Sequence, residues 1–219
     1  IQIERALYDD DRHGIWESRP VDLAQAANRT RQKHAARIFN NAFSVDSFFQ
    51  AHTEGVALCS DSHTTTASGV STSAGFDNKI TSGLSATALA AARMQFKKLR
   101  DDRGNLMSMK PDELWVPTEL YDVAWEIVNS AGKPDTAENN ANVHQRAYKV
   151  MEWEYLSDTN NWFLCDGAQR KQHLFWNERV PLEFAYAEDL DTIIAKWRAY
   201  MRYGMGYDLW QWIMGAQVS

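Results

Sequence analysis

The chain has 219 residues, is 44% hydrophobic with nine Trp and nine Phe, and carries a formal charge of −6. That is enough apolar material for one or two packed domains, and it excludes a disordered or fibrous chain. The acidic balance argues against a surface that binds nucleic acid throughout, no apolar run reaches the ~18 residues of a membrane-crossing helix, and two distant cysteines, Cys59 and Cys165, fit a reduced setting better than a disulfide scaffold.

The opening IQIERALYDDD has neither Met nor a signal-peptide pattern, so the stretch is expected to be the C-terminal part, or a processed product, of something longer. Ile1-Gln2-Ile3 alternates like the end of a strand, and residues 4–16 read as a short acidic helix interrupted by Gly14. Asp9, Asp10 and Asp11 could suggest a metal. Neighbouring carboxylates on a helix point in different directions, however, and lack the alternating oxygen spacing of a calcium loop.

Residues 20–43 form the longest helical signal, with Pro20 suited to a first helical position and no other Pro or Gly. Such a helix would run about 35 Å. Its apolar stripe is thin: Ala24, Ala27, Ala35, Ile38 and Ala42 share one side, and residues 28–34 are polar all round. Arg29, Arg31, Lys33 and Arg37 stand in it with no acid between Leu23 and Phe43. A charge run is commonly just a solvated face. Length with so little to bury points instead to a beam laid across a surface and completed by neighbours.

From Thr53 to Gly83, 16 of 31 residues are Ser, Thr or Gly, which predicts a long loop and invites a search for chemistry. His52, Cys59 and His63 could ligate zinc, but a structural site wants four ligands. Asp61-Ser62-His63 holds the letters of a hydrolase triad, yet a triad is a spatial arrangement and no nucleophile-elbow glycines flank Ser62. A polar surface loop rich in turn formers is the plainer reading.

Residues 84–103 predict an amphipathic helix with Ser85 as N-cap and Ala88, Leu89, Ala92, Phe96 and Leu99 inward. A buried strand, 114–116, is closed by Pro117, and Thr118 is expected to cap a second helix with Leu120, Val123, Ala124, Ile127 and Val128 inward. Strand followed by helix suggests a mixed α and β layer. The polar connector 133–145 is expected to move freely. Strands then follow at 147–156, 162–165, 173–176 and 182–186, separated by turn material at 157–161, at Asp166-Gly167 and at 177–179. A regular strand runs over 192–203, where Trp197, Ala199, Met201 and Tyr203 alternate with Lys196, Arg198, Tyr200 and Arg202: one face for the core, the other basic and aromatic. The final extended piece puts Trp210 and Trp212 on one side, either folded back or covered by a partner.

In order and spacing, RTRQKHAARIFNNAF, the Ser/Thr/Gly loop, GLSATALAAARMQFKKLRDDRGN, PDELWVPTELYDVAWEIVNS, VMEWEYLSDTNNWFLCDG and IIAKWRAYMRYGMGYD resemble the major head subunits of tailed bacteriophages, in particular the Mu-type branch of the Hong Kong 97-like capsid fold. The resemblance covers most of the chain through an ordered series and not through one diagnostic motif. It implies an α+β fold: a peripheral domain over 1–52 built on a spine helix at about 20–43, an axial domain over 53–183, a returning peripheral strand over 184–205, and a terminal segment, 206–219, returning to the axial domain. In that family an N-terminal arm and an extended hairpin lie before the residue matching Ile1, and the position of His63 is a structural loop position.

The function so implied is a structural subunit that self-assembles, as pentamers and hexamers, into an icosahedral head enclosing double-stranded DNA without sequence-specific binding. It would use no cofactor or metal and meet no membrane, with portal, scaffold or decoration proteins as further partners. Assembly would take place in the host bacterial cytoplasm. Candidate contact residues are Arg29, Arg31, Lys33, Arg37, Arg198, Tyr200, Arg202, Trp210 and Trp212. Two rivals stand beside it. One is a hydrolase or metal-dependent enzyme using the loop from His52 to His63; the other is a binding module whose tryptophans stack on sugars or peptides.

Overall fold

The structure, a computed structural model, describes residues 1–16, 18–48, 54–133 and 140–218. It divides into two compact units, Ile1–Ala35 with Trp176–Met205, and Ala36–Phe175 with Gly206–Ser219. Among the described residues no helix is long and apolar enough to cross a membrane.

The first unit is a thin layer of helix on sheet. Strand β1 (Gln2–Glu4) runs antiparallel to β7 (Ile194–Tyr207), with Ile3 opposite Ala195, and β6 (Leu174–Asp189) pairs on the far side of β7. The two expected short strands, 173–176 and 182–186, are one strand: β6 runs straight through Asn177, Glu178 and Arg179. It can, because it is an edge strand, where Pro181 forfeits no ladder hydrogen bond and polar side chains meet water. Residues 190–193 turn the chain back into β7, with the Ile193 amide donating to the Asp189 carbonyl at 2.8 Å.

Helix α1 (Arg5–Asp9) is shorter than the acid-rich sequence suggested. The Asp11 carboxylate folds the following residues into a turn by accepting from the backbone N–H of Trp16 at 2.7 Å and of His13 at 3.1 Å. Asp9 meanwhile pairs with Arg5 at 3.4 Å, so the three acids do not converge. Helix α2 (Arg19–Asn40) is the expected long helix.

The second unit carries a five-stranded mixed sheet in the order β2-β8-β5-β3-β4, made of β2 (Lys79–Ile80), β8 (Ile213–Ala216), β5 (Trp162–Cys165), β3 (Glu113–Val116) and β4 (Lys149–Glu152). Two interior strands, β5 and β8, are buried along their whole length and are accordingly apolar throughout. The last turn of α2 feeds this core. Phe39 stacks on Trp115 at 5.3 Å and meets Phe163, Trp153 and Trp212 edge-on.

Helix α3 (Ala86–Phe96) starts at the Ser85 cap, whose hydroxyl accepts from the Ala88 amide at 3.1 Å, and its predicted inward face is buried. Thr118 does not cap the next helix. It begins a 3-10 turn, Thr118–Leu120, that leads into α4 (Tyr121–Asn129), because Pro117 occupies the capping position. The expected turn at Asp166-Gly167 is the start of a helix, α5 (Gly167–His173): the Asp166 carboxylate caps it, accepting from Ala168 and Gln169. Neither long connector is loose where it is described. The Cys59 backbone N–H donates to the Ala42 carbonyl at 2.7 Å and that of Asn78 to the Ser60 carbonyl at 3.0 Å, while the Asn142 side-chain amide, in a residue 8% exposed, donates to the carbonyls of Ile127 and Ser130.

Candidate subunit contact surface

The unit Ile1–Ala35 with Trp176–Met205 has almost no core of its own. Among its described residues the buried apolar side chains are Ile3, Ala27, Ala195 and Met205. Large apolar groups instead face outward in the whole chain, including Val21, Phe184, Tyr186, Ile193 and Leu190, the last 94% exposed. A unit of this size ordinarily hides such groups or presents them to a partner.

Helix α2 explains how its few residues are held. Ala27 is buried, residues 28–30 are exposed, and the middle of the helix is tied down by polar and ring contacts rather than by apolar packing. Arg31 pairs with Glu178 at 3.1 Å and lies over the Trp176 ring at 5.7 Å; His34 is hydrogen-bonded to the Tyr203 hydroxyl, and Tyr203 stacks on Trp176 at 4.3 Å. The helix is therefore less dependent on outside support than its composition suggested. Of the four basic candidates, only Arg29 and Lys33 point fully into solvent. Arg37, near the end of the helix, is committed to Asp46 by two hydrogen bonds of 2.5 and 2.9 Å and lies 4.2 Å from the centre of the Phe48 ring. This fork holds the Asp46 carboxyl down at about 2.

Strand β7 alternates as its sequence predicts from Trp197 on, whereas Lys196, expected on the exposed face, is half-buried and paired with Asp189 at 2.6 Å. Arg198, Tyr200 and Arg202 are exposed, while Trp197, Ala199, Met201 and Tyr203 are half-buried. Trp197 packs against Tyr186 at 5.3 Å and Tyr8 at 6.3 Å.

Trp210 and Trp212 do not belong with the contact candidates. They are 3% and 0% exposed, folded back into their own unit because the chain after β7 re-enters the sheet as β8. Trp210 carries the His63 ring flat against its own at 3.9 Å, and Trp212 sits beside Phe39. Two buried tryptophans offer no stacking platform for a sugar or peptide.

The chemistry weighed for the Ser/Thr/Gly loop is not assembled. His63 is 3% exposed; its Nδ1 faces Glu54 at 2.9 Å and its Nε2 the Asn78 side-chain oxygen at 3.0 Å. Asn78 is fixed in that orientation because its amide donates to the carbonyls of Leu58, Trp210 and Ile213. Both imidazole nitrogens are thus engaged, and Ser62 bonds Ser60 at 2.9 Å instead of a base. Cys59 is fully buried, which pushes its thiol up and away from the thiolate that zinc binding needs. His52 lies outside the described residues. Among those described, no three His, Cys, Asp or Glu side chains form a group able to hold a metal. Nothing local in the sequence singles out Asn78, which stands between Asp77 and Lys79 in a polar loop, as the partner of His63.

Comparison with known proteins gives this surface a context. The family model described as phage capsid protein matches residues 2–213. No curated protein matches the chain. Solved structures do. The asymmetric unit of the bacteriophage PhiM1 mature capsid superposes with a TM-score of 0.60 at 11% identity, over all of this chain and 69% of that one. The capsid of the cyanophage P-SCSP1u gives 0.56 at 15%, over 100% and 70%. The capsid of an empty GTA particle gives 0.54 at 14%, over 100% and 71%. At such identities the structures speak for the shared fold, the Hong Kong 97-like capsid fold, while the family match extends over nearly the whole sequence. The chain belongs to the phage capsid protein family and is a structural subunit of a phage shell, located in the virion capsid.

Proposed function

We propose that copies of this chain assemble as pentamers and hexamers into a closed icosahedral head around double-stranded DNA, and that the protein carries out no catalysis. The observation that supports this best is the near-absence of a core in the unit Ile1–Ala35 with Trp176–Met205, set against the apolar groups it exposes. Such a unit gains its missing burial from neighbours, and many modest contacts sum through repetition into a stable shell. In this reading that unit is the peripheral domain with α2 as its spine, and the unit containing the five-stranded sheet is the axial domain. Arg29 and Lys33 on α2, with Arg198, Tyr200 and Arg202 on β7, are the solvent-facing groups proposed to meet other subunits. Arg31 and Arg37 act first within their own subunit. A formal charge of −6 suits a wall that encloses DNA without gripping it by sequence. Portal, scaffold or decoration proteins would be the further partners, assembly would occur in the host bacterial cytoplasm, and membership of the Mu-type branch rests on the sequence series alone.

The test is electron microscopy of the expressed full-length protein, with sedimentation across protein concentration and salt. Closed shells of uniform size are expected. A compact solitary particle under every condition would overturn the proposal.

A further inference from the structure

Leu190 stands on the turn between β6 and β7 and, at 94%, is the most exposed large apolar side chain among the described residues. A single exposed leucine is ordinary. Its surroundings are not. Ile193, three residues on, is also exposed, and Leu190 is collared by the acids Glu188, Asp189 and Asp191. Two of these are spent within the chain, Glu188 on Arg5 at 3.2 Å and Asp189 on Lys196 at 2.6 Å. Asp191 has no cationic partner among the described residues.

The same unit carries a groove of about 420 Å³ with an almost wholly apolar lining. It is formed by Val21 and Ala24 of α2, Phe184 and Tyr186 of β6, and Trp197 and Arg198 of β7. Arg198 is the one charged residue lining it, is exposed, and has no carboxylate partner among the described residues.

We infer that this groove receives the β6–β7 turn of a second copy of the chain, Leu190 entering between Val21, Phe184 and Trp197 while Asp191 pairs with Arg198. The match is of shape and of charge: an apolar knob with one unspent acid beside it, and an apolar groove with one unspent base. Knob and groove are different parts of the same unit, so the contact is head-to-tail and closes into a ring wherever the rotation between copies permits. This contact rests on the reading of the chain as a self-assembling shell subunit.

The test uses the full-length protein under conditions in which the unaltered protein forms shells, with shells counted by electron microscopy and folding followed by circular dichroism. Leu190→Asp and Arg198→Glu alter exposed side chains. Each is expected to leave a folded, soluble protein that no longer forms shells. Adding Asp191→Arg to Arg198→Glu reverses both charges of the pair and is expected to restore shells. Normal shell yield from Leu190→Asp, or a double variant no better than Arg198→Glu alone, would overturn the contact while leaving the capsid reading standing. Failure of the unaltered protein to form shells under any condition would remove the assembly reading and this contact with it.

Discussion

The imidazole of His63 lies flat on the indole of Trp210, with ring centroids 3.9 Å apart and planes 3° from parallel. The pair joins the start of the Ser/Thr/Gly loop to the segment that enters β8, and it holds the Glu54 carboxylate, whose side chain is 6% exposed. Replacing His63 with Ala removes one partner of that carboxylate, which still accepts from the Thr64 amide, and takes away the ring packed on Trp210. A stability loss of about 2 kcal/mol is expected in urea or thermal unfolding. Ser62→Ala, whose hydroxyl bonds only that of Ser60 among side chains, is expected to cost less than about 1 kcal/mol. An activity abolished by Ser62→Ala in a protein that stays folded would defeat the non-catalytic reading.

The Arg37 fork makes a pH prediction. Asp46 is held at about 2, below the ordinary value of 3.8 that it regains on unfolding. A folded value below the unfolded one means the pair stabilises fully above pH ~4 and loses that contribution as pH falls toward ~2. Thermal unfolding of the native protein and of Asp46→Asn should therefore differ by a few degrees at pH 7 and converge by about pH 2. A gap that stays constant over this range would show that the ion pair contributes nothing.

Gly215 is a packing requirement in the middle of β8. A Cβ built there would stand 2.7 Å from the Cys59 sulfur and 2.8 Å from the Phe43 ring. Cys59 is buried and the half-buried Phe43 ring is stacked on Phe163 at 5.7 Å, so neither is the free end of a flexible side chain. Gly215→Ala is expected to destabilise by about 2 kcal/mol, read as a lower urea midpoint with an unchanged slope. Unaltered stability would mean that the loop carrying Cys59 yields easily.

The exposed and the committed charges of α2 should separate experimentally. Arg29→Glu with Lys33→Glu changes only solvent-facing groups, so unfolding should shift by no more than about 0.5 kcal/mol while shell formation fails. Arg31→Glu breaks the contact with Glu178 and the Trp176 ring, and is expected to lower monomer stability as well. Normal shells from the double variant would remove the exposed side of this helix from the assembly surface.

Much of this was legible from local pattern. The long α2, the Ser85 cap with its inward face, and the alternation along β7 each follow from spacing within a dozen residues, where the side-chain period and the burial agree. Most of the misread parts depend on distant partners. Asp166-Gly167 looks like a turn until the residues after it are seen to continue helically. Asn177 and Pro181 look like breakers unless β6 is known to be an edge. Trp210 and Trp212 looked available because nothing nearby in sequence covers them; their partners, His63 and Phe39, come from far earlier in the chain. The thin stripe of α2 likewise underestimated its anchoring, since Glu178, Trp176 and Tyr203 return to it from more than a hundred residues away.

The place of β8 also sets an order of events during synthesis. This strand lies between β2 and β5, so the larger sheet stays split into two pieces until residues 213–216 have left the ribosome. Until then β2 and β5 each present a bare hydrogen-bonding edge, and tryptophans destined for the interior have nowhere to go. Nascent chains crowded on one message would therefore be at their most adhesive just before this strand emerges, and its insertion turns a sticky intermediate into a subunit fit to be counted into a shell.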